Sequence, residues 1–268
     1  LPIFSGVLIN IQKQLGLGAR FTSPICKSQL CSAGTVYVDD TDLLSSSPDC
    51  QSLADLLPHT QKDVSRWLDL LISTGGDFKW KDCAWYGIDY ICYKRLWSFK
   101  PMDSLSLQIR SQDGSLKTIE RLPLNQSKKI LGVFDAPDSG FRTHFSYLED
   151  KSSSWLCKIK SGSLPLHCVR LAYKHQLSPG LRYGIGTLNN PLHEGEKLLD
   201  SLDYRLLPVL GICRNVPKNL RRIPLTLGGF GLFDFPVEQL IDRINLFLQH
   251  FESKNTIGKK VAASIQAL

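Results

Sequence analysis

The feature that most restricts the fold of this chain is a change of hydrophobic periodicity part-way along it. Beyond about Asp138, segments 141–159, 164–177, 194–210 and 237–251 carry apolar residues at helical spacing and are divided by Gly and Pro. Before that point, 83–99 is dense in Trp, Tyr and Ile with few helix signals, which predicts strands there and near 105–109 and 130–134. Neither an all-helical nor an all-β fold accommodates both textures. The expected class is α+β, with a mixed or antiparallel sheet packed on helices over 1–137 and a mostly helical domain over 138–268.

Local signals refine the first half. Ile3, Val7, Leu8, Ile11 and Leu15 recur at helical spacing, with Gly16 and Gly18 as stop signals. Val36 and Val38 flank Tyr37 in a β-prone run, Asp39-Asp40 interrupts it, and Leu43-Leu44 resume it before Ser45-Ser46-Ser47-Pro48, which predicts a β-hairpin with carboxylates at its tip. Leu53, Leu56 and Leu57, then Val64, Trp67, Leu68 and Leu71, predict a helix broken or kinked near Pro58. Thr60 and Asp63 have capping-box spacing for a restart, and Gly75-Gly76 supplies the stop.

At 268 residues and 43% apolar composition the chain can bury a sizeable core, in one large domain or two modest ones, and two are expected. It begins at Leu1 and holds a single Met, as expected of a piece of a longer reading frame. No stretch approaches the ~20 apolar residues that span a bilayer, and 3–11 lacks the basic flank and cleavage site of a signal peptide. An intracellular protein, nuclear or cytoplasmic, not secreted and without a membrane partner, is expected. The eight cysteines (Cys26, Cys31, Cys50, Cys83, Cys92, Cys157, Cys168, Cys213) form no C-x-x-C pair, so buried reduced thiols are expected. The six histidines show no metal or triad spacing.

Charge is unevenly spread. Residues 1–75 hold 5 Lys/Arg against 7 Asp/Glu, a balance of −2, and residues 76–268 hold 27 against 18, a balance of +9. An acidic site followed by a phosphate-gripping surface has this pattern, as does a solvated basic face.

The carboxylate pair suggests a specific chemistry. Joining nucleotides uses two divalent cations about 4 Å apart, which hard carboxylate oxygens hold best. Asp39 and Asp40 would point to opposite sides of a fully extended strand, so a turn must bring them near one site, with Asp39 as the more direct ligand. A polar turn between two strands uses the same residues.

Tyr37-Val38-Asp39-Asp40, in its strand-turn-strand setting, resembles the Y-x-D-D box of reverse transcriptases, and the run from Val36 to Leu44 resembles the version in retroelement polymerases. Other features follow in the family's order. Trp67 and the Thr74-Gly75-Gly76 stop resemble the helix and turn leading to the next palm motif, and Lys81-Asp82-Cys83-Ala84-Trp85-Tyr86 resembles its K-C-x-W-Y sequence. The family's lysine, a proton donor to the leaving group, falls at Asp82, with Lys81 one place earlier. Lys129-Ile130-Leu131-Gly132-Val133 resembles the K-x-L-G box of the primer-grip hairpin, and Pro224 to Leu232 resembles the P-x(3)-G-G-L-G-L element of non-LTR retrotransposon polymerases.

This resemblance implies an RNA-directed DNA polymerase, represented by the C-terminal part of its palm (1–137) and a helical thumb (138–268). It implies Asp39 and Asp40 as catalytic and metal-binding residues for Mg²⁺ or Mn²⁺, and Lys81 as a catalytic residue. RNA template, DNA primer and deoxynucleoside triphosphates are the implied partners. Tyr37, Gly132, Lys128, Lys129, Lys218, Arg221 and Arg222 are the expected nucleic-acid contacts, with Arg221-Arg222 foremost because Pro217 and Pro224 bracket them in a loop-like setting. Lys158 and Lys160 add a further basic cluster. The family's earlier palm aspartate and Gly-Gln motif have no counterpart in residues 1–36. A catalytically inactive chain is therefore expected, either part of a polymerase or a remnant that binds nucleic acid. A viral RNA-directed RNA polymerase would carry Gly where Val38 stands, and an unrelated protein with an Asp-Asp turn is the remaining alternative.

Overall fold

A computed structural model describes residues 2–22, 27, 29–37, 40–47, 49–101, 103–251, 253, 258 and 259. The chain divides into two compact units, one formed by 1–126 with 253–268 and the other by 127–252. The class is α+β, with several small sheets and packed helices.

The first unit opens with α1 (Pro2–Gln14), which buries Leu8 and Gln12, four residues apart and so on one face. Two short antiparallel pairs follow: β1 (Ala19–Thr22) with β2 (Gln29–Ser32), and β3 (Gly34–Tyr37) with β4 (Asp40–Leu43). Next comes α2 (Leu53–Ser73), which is continuous. The expected break at Pro58 is absent: the helix, started by its cap at Ser52, runs through the proline without interruption. The capping box also sits about two turns earlier than the spacing of Thr60 and Asp63 suggests. Ser52 Oγ accepts from the Asp55 N–H, and the Asp55 carboxylate accepts from the Ser52 N–H at 3.1 Å. The Thr60 hydroxyl instead donates to Leu56 O at 3.3 Å. At the far end, the Gly75 N–H bonds Ile72 O and the Gly76 N–H bonds Leu71 O, the reverse-capping arrangement expected from the Gly pair.

The sheet beneath α2 contains β5 (Ala84–Trp85), β8 (Leu107–Arg110) and β9 (Leu116–Arg121) in the order β5-β9-β8, with β5 parallel and β8 antiparallel to β9. Between β5 and β8 the chain forms a separate hairpin, β6 (Tyr90–Tyr93) with β7 (Leu96–Phe99). Along β8, Leu107 and Ile109 are buried while Gln108 and Arg110 are exposed, the alternation a half-buried strand requires. Leu107 and Ile109 join Leu53, Leu68, Trp85 and Ile119 in this unit's core.

The second unit opens with the hairpin β10 (Lys128–Ile130) and β11 (Val133–Asp135). The predicted boundary at 137/138 would leave this hairpin with the first unit. Its packing differs: Val133 lies against the helical core, and the Phe134 N–H donates to His144 on the following helix. That helix, α3 (Arg142–Ser161), buries His144, Phe145, Leu148, Ser152 and Leu156 along one stripe. Then come α4 (Leu166–Ala172), a π-helical turn (Tyr173–Leu177), α5 (Ser178–Arg182), α6 (Leu192–Val209), α7 (Lys218–Arg222) and α8 (Phe235–Phe251). Leu198, Leu199, Leu202, Leu206 and Leu207 of α6 face Leu148, Leu156 and Phe235 in one core.

The cysteines depart from expectation. Cys31, Cys92, Cys157 and Cys213 are exposed, Cys50, Cys83 and Cys168 are half-buried, and all seven are free thiols, while Cys26 lies outside the described residues. On α3, for example, the inward position belongs to Leu156, which turns its neighbour Cys157 outward. No helix among the described residues is long and apolar enough to cross a membrane.

Candidate functional site

The aspartate hairpin is built by strict antiparallel register. Gly34 pairs with Leu43, Thr35 with Asp42, Val36 with Thr41 and Tyr37 with Asp40. A Cβ on Gly34 would overlap the Asp42 carbonyl, so close strand approach at this end requires glycine. Two residues, Val38 and Asp39, separate the paired strands, and both lie outside the described residues; for Tyr37 only the backbone is described. Asp40 and Asp42 fall on one face of β4 and are exposed, while Thr41 and Leu43 are half-buried on the other.

The exit of the hairpin is firmly anchored. The Leu44 N–H bonds Ala33 O at 3.0 Å, and the Arg20 N–H on β1 bonds Ser46 Oγ at 2.9 Å. The Ser45 hydroxyl donates to the carboxylate of Asp63, which is buried in the middle of α2. Burial raises the Asp63 carboxyl above the usual range, opposed by the Ser45 hydroxyl and the Gly18 N–H. Gln12 of α1 donates to Asp63 O at 3.0 Å. One α2 residue thus gathers α1, the turn after it and the chain leaving the aspartate strands.

Among the described residues, no group of three or more His, Cys, Asp or Glu is arranged to hold a metal ion. Residues 1–36 contain no Asp or Glu at all. Asp39, the more direct of the two expected ligands, lies outside the described residues. Lys81 is exposed in a short 3₁₀ turn, Trp80–Asp82, where Asp82 pairs with Lys79.

In the second unit the predicted nucleic-acid residues divide into two kinds. Lys128 and Lys129 lie on β10. Lys128 is in register with Asp135, and the Lys129 ammonium sits 4.9 Å from the centre of the Tyr147 ring and 5.8 Å from that of Phe134. Leu131 and Gly132 form the two-residue turn, with φ of 50° and 88°. The Tyr183 hydroxyl donates to Leu131 O at 2.6 Å, and a Cβ on Gly132 would lie 3.1 Å from the Tyr183 ring. Close approach at Gly132 is thus made by a tyrosine of the same chain.

Arg221 and Arg222 differ from their expected loop-like, phosphate-facing setting. They lie in α7 with side chains only 13% and 16% exposed, and both contact Asp203, which is buried on α6. Arg222 reaches Asp203 Oδ2 at 2.6 Å and also donates to Phe233 O at 2.7 Å. Arg221 reaches the same oxygen at 3.3 Å and donates to Val216 O and Arg214 O. For the Asp203 carboxyl, burial raises the pKa and outweighs the two guanidiniums. The glycine-rich run closes over this pair. Phe230 N–H bonds Leu220 O, Gly231 N–H bonds Ile223 O and Leu232 N–H bonds Arg221 O. Lys218 remains exposed, paired with Asp200 at 2.6 Å, and Lys158 and Lys160 are exposed on the last turn of α3.

Two further clusters escape a search by charge or motif. Buried His144 accepts the Phe134 N–H at Nδ1, 3.2 Å away, beside Tyr147, Lys129 and Lys151. The β6–β7 hairpin carries exposed Tyr90, Tyr93, Leu96 and Trp97 around Lys94 and Arg95; its signal in the sequence is the interleaving of aromatic and basic residues. Comparison with protein-family models, curated proteins and solved structures finds no match to this chain.

Proposed function

We propose that this chain is part of a reverse transcriptase of the non-LTR retrotransposon type, carrying the later part of a palm and a helical thumb, and that on its own it binds nucleic acid without polymerising. The observation that carries this reading is the Tyr37-to-Asp40 register, which leaves Val38 and Asp39 between two antiparallel strands, as the resemblance to the Y-x-D-D box requires. The order of hairpin, long helix, glycine stop and later Leu-Gly hairpin supports it as well.

The carboxylates present support the reading of binding without catalysis. A two-metal transfer needs enough carboxylate charge to hold two divalent cations together. Neither residues 1–36 nor any described cluster supplies it. The basic excess of residues 76–268 suits phosphate contact. Lys128, Lys129 and Lys218 are the leading phosphate contacts, and Arg221 and Arg222 act by holding their surroundings in shape.

Primer extension on an RNA template with a DNA primer, in Mg²⁺ and separately in Mn²⁺, tests the catalytic half of the proposal. No extension product is expected. Extension that disappears in Asp39→Ala would overturn the claim of inactivity, and failure to bind any nucleic acid would overturn the whole reading.

A further inference from the structure

An isolated two-stranded hairpin is marginal in water, and one exposing aromatic side chains on both faces calls for a partner. The β6–β7 hairpin is such an element. Its base is closed by the Lys100 N–H bonding Asp89 O at 2.9 Å and by the Lys100–Asp89 ion pair at 2.7 Å. Beyond that clasp, Trp97 is 72% exposed, Tyr93 67% and Leu96 75%.

Register sorts these side chains. Tyr90 pairs with Phe99 and Cys92 with Trp97, so Tyr90, Phe99 and Trp97 share one face. The Tyr90 and Phe99 rings already stack, with centres 5.0 Å apart. Tyr93 and Leu96 pair nearest the turn, on the other face. The turn is Lys94-Arg95, with φ of 49° and 66°, a pair of left-handed positions that Asn-Gly would fill with less strain. Lys94 sits 5.2 Å from the centre of the Tyr93 ring, and neither cation forms an ion pair with a carboxylate among the described residues.

We infer that the β6–β7 hairpin is a binding element for single-stranded nucleic acid that crosses its tip, with bases stacking on Trp97 on one face and on Tyr93 on the other and phosphates held by Lys94 and Arg95 between them. Aromatic platforms beside cations suit a ligand that alternates π-faces with negative charge. About 6–7 Å of extended chain separates Arg95 from Trp97, the scale of one nucleotide from phosphate to base. A membrane-inserting hairpin would carry its apolar residues at the tip, whereas here the tip is cationic and the aromatics flank it. This surface takes its ligand class from the nucleic-acid-binding function proposed above, but its residues are separate from Lys128, Lys129 and Lys218.

The test is fluorescence anisotropy of the full chain with short labelled oligouridylate, oligothymidylate and a primer–template duplex, and separately with phosphatidylserine vesicles. Trp97→Ala with Tyr93→Ala should weaken oligonucleotide binding by about tenfold or more and leave duplex binding within about twofold. Lys94→Asn with Arg95→Gly removes both charges while suiting the turn, so the hairpin keeps its fold and oligonucleotide binding should still drop and become less salt-sensitive. The uridylate and thymidylate arms distinguish RNA from DNA as the preferred strand. Unchanged oligonucleotide binding in both double variants would overturn the inference, even if duplex binding upholds the proposed function. Hairpin-dependent binding to vesicles but not oligonucleotides would overturn it in favour of a membrane. Hairpin-dependent oligonucleotide binding without duplex binding would uphold it and count against the thumb.

Discussion

The Ser45 hydroxyl donates to the buried carboxylate of Asp63, tying the chain that leaves the aspartate strands to the middle of α2. Removing an acceptor that serves a buried donor leaves that donor unsatisfied, at about 1–3 kcal/mol. Asp63→Ala should therefore destabilise the first unit by about that amount. Asp63→Asn, which keeps an oxygen and relieves the burial of charge, should cost less. Urea unfolding followed by tryptophan fluorescence, with Trp67, Trp80, Trp85 and Trp97 in this unit, reads both. Equal stability of all three proteins would show that the contact does not hold the hairpin.

Asp203 and its two arginines form the corresponding lock in the second unit. Deleting one member of a buried ion cluster strands the others, a loss of about 3–5 kcal/mol. Asp203→Ala and Arg222→Ala should each lower stability on this scale, while Lys218→Ala, at an exposed pair, should change it by less than about 1 kcal/mol. Calorimetry on the three variants checks this. A stable Arg222→Ala protein with weakened nucleic-acid binding would return that arginine to the phosphate-binding role its sequence setting suggests.

At the β10–β11 turn, Gly132 combines a left-handed backbone with a neighbouring ring. Gly132→Ala should destabilise the second unit by about 1 kcal/mol or more, and Tyr183→Phe, which removes the bond to Leu131 O, by about 0.5–1.5 kcal/mol. Because the two residues touch, their effects should not add, and a double-mutant cycle measures the coupling. Strict additivity would place the tyrosine elsewhere in solution.

His144 gives the second unit a pH dependence. Its imidazole is held below the usual range by burial, with Lys151 and Lys129 adding to the effect. The folded value lies below the unfolded one, so stability is fully present above the unfolded value near pH 6.5 and is lost as pH falls. Protonation at Nδ1 would also break the bond from the Phe134 N–H. The melting temperature should fall between about pH 7.5 and 5.5, and His144→Gln, which accepts but does not titrate there, should flatten that slope. Parallel slopes would exclude His144 as its source.

The helices α1, α3, α6 and α8 were legible because apolar residues repeat at helical spacing, as was the C-terminal stop of α2 but not its start, and the aspartate hairpin was legible because β-prone residues bracket a polar stretch, although Asp40 lies in β4 rather than at the tip. What escaped depends on tertiary partners. Nothing in Arg221-Arg222 signals that Asp203, on another helix, lies beneath them. Pro58 reads as a break unless the Ser52–Asp55 cap ahead of it is seen to start the helix. The affinity of 127–135 for the helical unit depends on Val133 and on His144, whose burial no spacing rule reveals.

The central claim is nucleic-acid binding without polymerisation, and the salt dependence of primer–template binding tests it most directly. Anisotropy titrations over a range of salt, plotted as log K against log salt concentration, should give a straight line of negative slope, shallower by about one in Lys129→Ala, with the primer left unextended under the same conditions. Salt-independent or undetectable binding would contradict the claim, as would an extended primer.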